Sequence, residues 1–293
     1  MNNVHIPVML DEVLEYLNPQ PGQKFIDCTL GGGTYTTKIA ERVGKKGLVV
    51  GIDLDESVIA NFKKNIALPN VVLFNDSFRN IDEAAASVAP EVEGFDGIVM
   101  DLGLSSNQLA DEDRGFSFAG SRPLDMAFGP KSPRSTEEIV NQYSAADLEY
   151  IFKTYGEERF SRRIAENICL LRKKERILNT EQLTTLVTDS IPKKFWHGRV
   201  HPATKIFQAL RIETNEELKS LEEALPKAVK LLKPGGRIVV VSFHSLEDRI
   251  VKHFFKNRED LKVLFKKVLL PSDAELDNNP RARSAKMRAA EKI

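Results

Sequence analysis

The 293-residue sequence predicts an α/β fold in which a mostly parallel sheet, covered by helices, is interrupted by an α-helical insertion. Three observations carry that expectation. Apolar strand-like runs at residues 25–28, 48–53, 71–74 and 97–102 alternate with stretches suited to crossover helices, the rhythm of a parallel sheet. Residues 135–200 then read as helices alone, with apolar side chains three and four apart at Leu148, Ile151 and Phe152 and again at Ile164, Ile168 and Leu171. Strand character returns at residues 237–243.

Between these regions, residues 104–134 lose all periodicity, with Gly, Ser, Pro, Asp and Arg scattered through them. A stretch of that length in a compact domain reads as a functional loop. After the insertion, an amphipathic helix over 215–232 is stopped by Lys233-Pro234-Gly235-Gly236. A helix over 246–256, a strand over 263–268 and a last strand over 285–290 complete the chain. The expected division is a sheet domain of residues 1–110 and 205–293, with a loop and helical insertion at 111–204 serving substrate recognition.

Composition narrows the function. Lys plus Arg equals Asp plus Glu at 42 each, yet residues 1–100 hold 8 basic against 14 acidic side chains and residues 151–205 hold 12 basic against 6 acidic. The tail carries Arg281, Arg283, Lys286, Arg288 and Lys292 against Glu291 alone. Such stretches are either solvated faces or sites for a polyanion. Cys28 and Cys169 make neither a disulfide framework nor a metal cluster, and no apolar run reaches the length of a bilayer span, so a cytoplasmic protein is expected.

The chemistry-bearing segment is Asp27-Cys28-Thr29-Leu30-Gly31-Gly32-Gly33-Thr34, between the first strand and a helix, where glycines let a ligand approach the backbone. Asp53 ends the second strand, about twenty residues on, where a carboxylate accepts both ribose hydroxyls of an adenosine. Glycines of a tight turn and a helix-capping Asp53 are the plainer readings of each part alone. A pyrophosphate asks for a turn running straight into a helix N-terminus. S-adenosylmethionine instead needs polar partners for its amino-acid end, and Asp27, Thr29, Thr34 and Tyr35 supply them. The helix-to-strand junction at 231–238 is also like that of Rossmann-like methyltransferases.

Ordered motifs then extend the likeness over nearly the whole chain: His5-Ile6-Pro7-Val8-Met9, Asp101-Leu102-Gly103-Leu104-Ser105-Ser106, Arg114-Gly115-Phe116-Ser117-Phe118, Pro123-Leu124-Asp125-Met126, Tyr155-Gly156-Glu157-Glu158, His201-Pro202-Ala203-Thr204, Ser242-Phe243-His244-Ser245-Leu246-Glu247-Asp248-Arg249 and Pro280-Arg281-Ala282-Arg283-Ser284. With these the sequence resembles the MraW-type bacterial ribosomal RNA small subunit methyltransferase H family, the 16S rRNA cytidine N4-methyltransferases. The resemblance implies a Rossmann-like class I fold and S-adenosyl-L-methionine as cofactor, held by Gly33, Thr34, Tyr35, Asp53, Phe78, Asp101 and Gln108. It implies a cytidine in the decoding region of 16S rRNA as target, within a small-subunit particle. Two departures stand out: Thr34-Tyr35 replaces the family's usual Gly-His, and the segment between Lys256 and Asn279 is shorter than in many relatives.

Asp101 is the candidate for orienting the reacting amine, the alternative being that it only fixes the cofactor. Arg281 and Arg283 are the candidate RNA contacts. Ser242, His244 and Ser245 do not make a hydrolytic triad, because neighbours at a strand end do not present a nucleophile to a base. His5 and His201 read as structural or RNA-contacting rather than as metal ligands. Trp196 and Phe195 either stack on a base or anchor the insertion. A catalytically silent cofactor-binding assembly factor and a small-molecule methyltransferase are the competing functions.

Overall fold

The computed structural model describes residues 7–104, 114–117, 120–129, 132–196 and 201–293. The chain forms two compact units, residues 1–106 with 218–293 and residues 107–217. The first unit holds a seven-stranded sheet: β1 (Lys24–Asp27), β2 (Leu48–Asp53), β3 (Val71–Asn75), β4 (Phe95–Asp101), β5 (Leu232–Ser242), β6 (Leu261–Val263) and β7 (Lys286–Lys292), in the order β3-β2-β1-β4-β5-β7-β6. The first five run parallel, and β7 lies antiparallel between β5 and β6.

Strand period assigns each side chain to a face. Ile26, Val50, Ile52, Ile98, Met100, Ile238 and Val240 enter one core with α4 (Ile81–Val88), α10 (Glu217–Leu231) and α11 (Ser245–Lys256). The alternate residues Phe25, Val49, Val99, Val239 and Val241 enter a second core with α1 (Leu10–Leu17) and α2 (Thr34–Val43). Burial on both faces is why these strands read as continuous apolar runs. The helix α3 (Glu56–Asn65) adds Val58, Ile59 and Phe62 to a small cluster under the glycine loop, with Leu30.

Two strand expectations are corrected. The break at 233–236 is a bulge inside β5, which pairs at Phe95↔Leu232 and resumes at Gly97↔Arg237, and Asp96 pins it by accepting from Lys24 N (2.8 Å) and Lys233 Nζ (3.2 Å). The expected strand at 263–268 ends at Val263. The chain rejoins β7 only at Leu269↔Met287, and Phe265 packs edge-on against Tyr16 with centroids 4.7 Å apart.

The second unit holds α5 (Thr136–Gln142), α6 (Ala145–Thr154), α7 (Ser161–Arg172), α8 (Thr180–Ser190) and α9 (Thr204–Asn215) around their own core. Capping boxes start three of them, Ser135 with Glu138, Ser144 with Asp147 and Asn179 with Gln182. Residues 205–217, expected with the sheet, belong here, because Ile206, Ala209 and Leu210 are buried in this core. The described residues 120–129, expected as part of a functional loop, are tied down. Thr180 N donates to Arg122 O (2.8 Å), Asn215 Nδ2 donates to Met126 O (2.8 Å), Phe128 N donates to Asn215 Oδ1 (2.8 Å), and Leu124 and Met126 are buried.

Candidate active site at the carboxyl ends of the parallel strands

The sheet order reverses at β1, whose neighbours are β2 and β4, and open α/β sheets bind ligands at the carboxyl ends beside such a reversal. Three acidic residues stand at these ends: Asp27 on β1, Asp53 on β2 and Asp101 on β4. The glycine loop that follows β1 threads between them. Leu30 N donates to Ile52 O (2.9 Å) and Gly31 N to Asp53 Oδ2 (2.9 Å), while Asp53 Oδ1 accepts from Asp55 N (2.9 Å).

Gly33 makes the sharp entry into α2. Its φ is +74°, and a Cβ there would lie 2.4 Å from the Phe62 ring, so both backbone and packing demand glycine. Gly31 also has positive φ (+49°), but its nearest neighbour to an added Cβ is Thr29 O at 3.7 Å, which leaves open space beside the loop.

Thr29 links two strand ends. Its N–H donates to Asp27 Oδ1 (3.1 Å), and its Oγ1 accepts from Asp101 N (2.7 Å). Asp27 is fully buried and also accepts from Thr36 Oγ1 (2.7 Å). Asp101 Oδ1 accepts from Gly103 N (3.3 Å).

Burial dominates the electrostatics of all three carboxyls. Asp53 is pushed up to about 6 and Asp101 to about 7, the latter raised further by Asp27 and Glu247, and Asp27 is also raised by burial. Among the described residues, none of the three pairs with a lysine or arginine. An acidic crevice of this kind repels a pyrophosphate and favours a cationic ligand.

The expected site residues fall as follows. Gly33, Thr34, Asp53 and Asp101 lie around the strand ends, and Phe78 opens the turn after β3, half-buried against the first core. Gln108 and His5 lie outside the described residues. Tyr35 turns its side chain into the second core and donates its hydroxyl to Val8 O, which leaves its backbone for a ligand. Sequence reasoning does not single out Thr36 or Glu247 as site residues. Glu247 is buried at the start of α11, where Oε2 accepts from Phe243 N (2.8 Å) and His244 N (3.2 Å), pinning the end of β5. The spacing of His244 and Glu247, a capping box, is the available signal.

The basic tail is partly internal. Arg288 pairs with Asp248 through two contacts (2.6 and 3.2 Å), and Lys292 Nζ donates to Leu232 O (2.6 Å). Arg281 and Arg283 are exposed on a short 3-10 turn, Pro280–Ser284.

The sheet order and the acidic, glycine-lined crevice define a Rossmann-like class I methyltransferase fold. A solved structure from Clostridium thermocellum, described as an rRNA-methylase candidate, shares it with a TM-score of 0.50 at 16% identity, covering 99% of this chain and 100% of that one. The family model for the MraW methylase family matches residues 2–293, and the chain belongs to that family. A ribosomal RNA small subunit methyltransferase H from Carboxydothermus hydrogenoformans is 42% identical over 309 residues, covering 99% of this chain and 98% of the relative. One from Geobacter sulfurreducens is 42% identical over 312 residues, covering 99% of each.

Proposed function

We propose that this protein transfers a methyl group from S-adenosyl-L-methionine to the N4 amine of a cytidine in the decoding region of 16S ribosomal RNA, within a small-subunit particle in the cytoplasm. The observation that carries the cofactor is the set of three strand-end carboxyls, Asp27 buried and Asp53 and Asp101 half-buried, which have no lysine or arginine partner among the described residues and suit a ligand bearing a sulfonium and an ammonium. Family membership and the relatives' names support ribosomal RNA as the substrate class. Among the described residues, no helix is long and apolar enough to cross a membrane.

The residues fit this cofactor. Each Asp53 oxygen already accepts one backbone N–H and keeps a lone pair for a ribose hydroxyl. The open side of Gly31 admits a ligand against the backbone, and Phe78 offers a ring face for the adenine. When bound, the cofactor supplies a methyl group activated by its positive sulfur. The loop–helical unit at residues 111–204 is the platform that recognises the RNA.

A cytosine amine is a weak nucleophile because its lone pair is conjugated with the ring. Holding the nitrogen in line with the methyl carbon is worth roughly 7–11 kcal/mol in favourable systems. Asp101, raised to about 7, accepts a hydrogen bond from the amine and takes up its proton without a large mismatch. The test is transfer of labelled methyl to 30S particles and to naked 16S RNA. Labelled RNA, lost with Asp101→Ala, is expected. Cofactor binding without transfer to either substrate would favour the silent assembly factor.

A further inference from the structure

The second unit carries an aromatic and basic cluster that the methyl-transfer site does not use. Phe195 lies in a 3-10 turn, Lys193–Phe195, that follows α8, and its ring is 5.1 Å from that of Phe160 at 55°. The Arg159 guanidinium lies over both rings, 5.8 Å from the Phe160 centroid and 5.1 Å from that of Phe195, and Lys194 Nζ is 5.1 Å from the Phe195 centroid. Trp196 follows directly. It is 40% exposed although it is the only tryptophan in the chain, and its Nε1 donates to Ile191 O (3.0 Å).

The rings of Phe160 and Phe195 are explained by packing, since both are half-buried against the helical core. Trp196 and the cations are not. With its N–H already satisfied by Ile191 O, the indole is tied to the end of α8 while 40% of the residue's surface stays in solvent. Arg159 and Lys194 are exposed and lie over the ring of the preceding residue, Phe195, and Lys193 is exposed on the same turn; among the described residues no ion pair joins any of the three to a carboxylate. Like charges gathered without partners repel one another, and a polyanion relieves that repulsion. An exposed indole next in sequence to a cation-covered ring matches an unpaired base with its adjoining phosphates, because every base has a face to stack and arginine adds a cation–π contribution. A duplex hides those base faces.

We infer that Trp196, with Arg159, Lys193 and Lys194 around Phe195, is a stacking ledge for an unpaired base of single-stranded RNA and its adjoining phosphates. This rests on the reading of ribosomal RNA as substrate and adds to it a binding surface on the helical unit. The sole tryptophan makes the ledge its own reporter: emission and iodide quenching in the wild-type protein report on Trp196 alone.

The experiment titrates the full-length protein with an unstructured ten-nucleotide RNA and with a duplex of the same length, following binding by anisotropy and Trp196 by its emission. Single-stranded RNA is expected to quench the emission and to shield it from iodide, while bound duplex does neither. Trp196→Ala weakens single-strand binding by about 5- to 150-fold, the range set by loss of one base–aromatic stack, and Trp196→Phe restores part of it. Arg159→Gln with Lys194→Gln flattens the salt dependence, by a slope of about 0.7 for each phosphate that is no longer neutralised. In methyl transfer to 30S particles, Trp196→Ala raises KM more than it lowers kcat.

Single-stranded RNA bound to saturation with unchanged emission and iodide access would overturn the inference. So would an unchanged KM for Trp196→Ala, or quenching by ribosomal proteins and not by RNA. Wild-type protein that methylates no RNA at all would instead sink the proposed function, whatever the emission does.

Discussion

Replacing Asp101 by Asn should make the protein more stable at neutral pH while abolishing methyl transfer. Asp101 is half-buried at the end of β4, and desolvation with the nearby charges of Asp27 and Glu247 raises its carboxyl to about 7. The folded protein therefore binds this proton more tightly than the unfolded chain does. The resulting stabilisation is fully present below about pH 4 and is lost as pH rises through about 7. Between the ordinary carboxylate value and about 7, at about 1.4 kcal/mol per pKa unit, the full loss is about 4 kcal/mol. Asp101 keeps partial exposure, so about 2–3 kcal/mol is the expected effect. Asparagine keeps the acceptor for Gly103 N and never ionises. Scanning calorimetry of both proteins should give equal Tm values near pH 4 and a gap that opens through pH 5 and 6. Above pH 7 the gap should reach about 4–12 °C in favour of the variant. A pH-independent gap, or a less stable variant at pH 8, would show that the fold does not raise the Asp101 carboxyl.

Asp53→Ala should weaken S-adenosylmethionine binding by roughly a hundredfold or more, from the loss of charge-assisted hydrogen bonds, with the fold retained; isothermal calorimetry and Tm check the two parts. Gly33→Ala should cost about 2–5 kcal/mol from the positive φ and the overlap with Phe62, and adding Phe62→Leu should relieve the overlap but not the φ cost. A double-mutant cycle by denaturant unfolding reads that coupling. Arg288→Gln should lower Tm by uncoupling β7 from the buried side of Asp248, without changing the salt slope of RNA binding. Arg281→Gln with Arg283→Gln should do the reverse, raising the RNA concentration for half-maximal rate and flattening the salt slope.

The parallel strands are legible because each is a short apolar run, β1, β2, β4 and β5 being buried on both faces, and the glycine loop because Gly31 and Gly33 need backbone geometry that few other residues adopt. Asp27, Asp53 and Asp101 can be placed from the strand ends they terminate. What is not legible depends on distant partners. Nothing local to Pro123-Leu124-Asp125-Met126 reveals Thr180 and Asn215, the residues that anchor its surroundings. The apolar run at 263–268 has the composition of a strand, but Phe265 satisfies itself against Tyr16 instead of in the ladder. Arg288 reads as free charge in the tail, whereas the fold sets Asp248, forty residues away in sequence, beside it. The position of Tyr35 after the glycines suggests a ligand contact, and the helical turn carries its ring the other way, to Val8.

The identity of the methylated nucleoside decides whether the protein is a cytidine N4-methyltransferase that depends on Asp101. Purified protein is incubated with S-adenosylmethionine carrying a deuterated methyl group and with 30S particles from cells lacking this activity. The RNA is then digested and analysed by mass spectrometry. Label is expected in N4-methylcytidine from one small-subunit oligonucleotide, and absent with Asp101→Asn. Label in any other nucleoside, or N4-methylcytidine formed equally well by the Asp101→Asn variant, would contradict it.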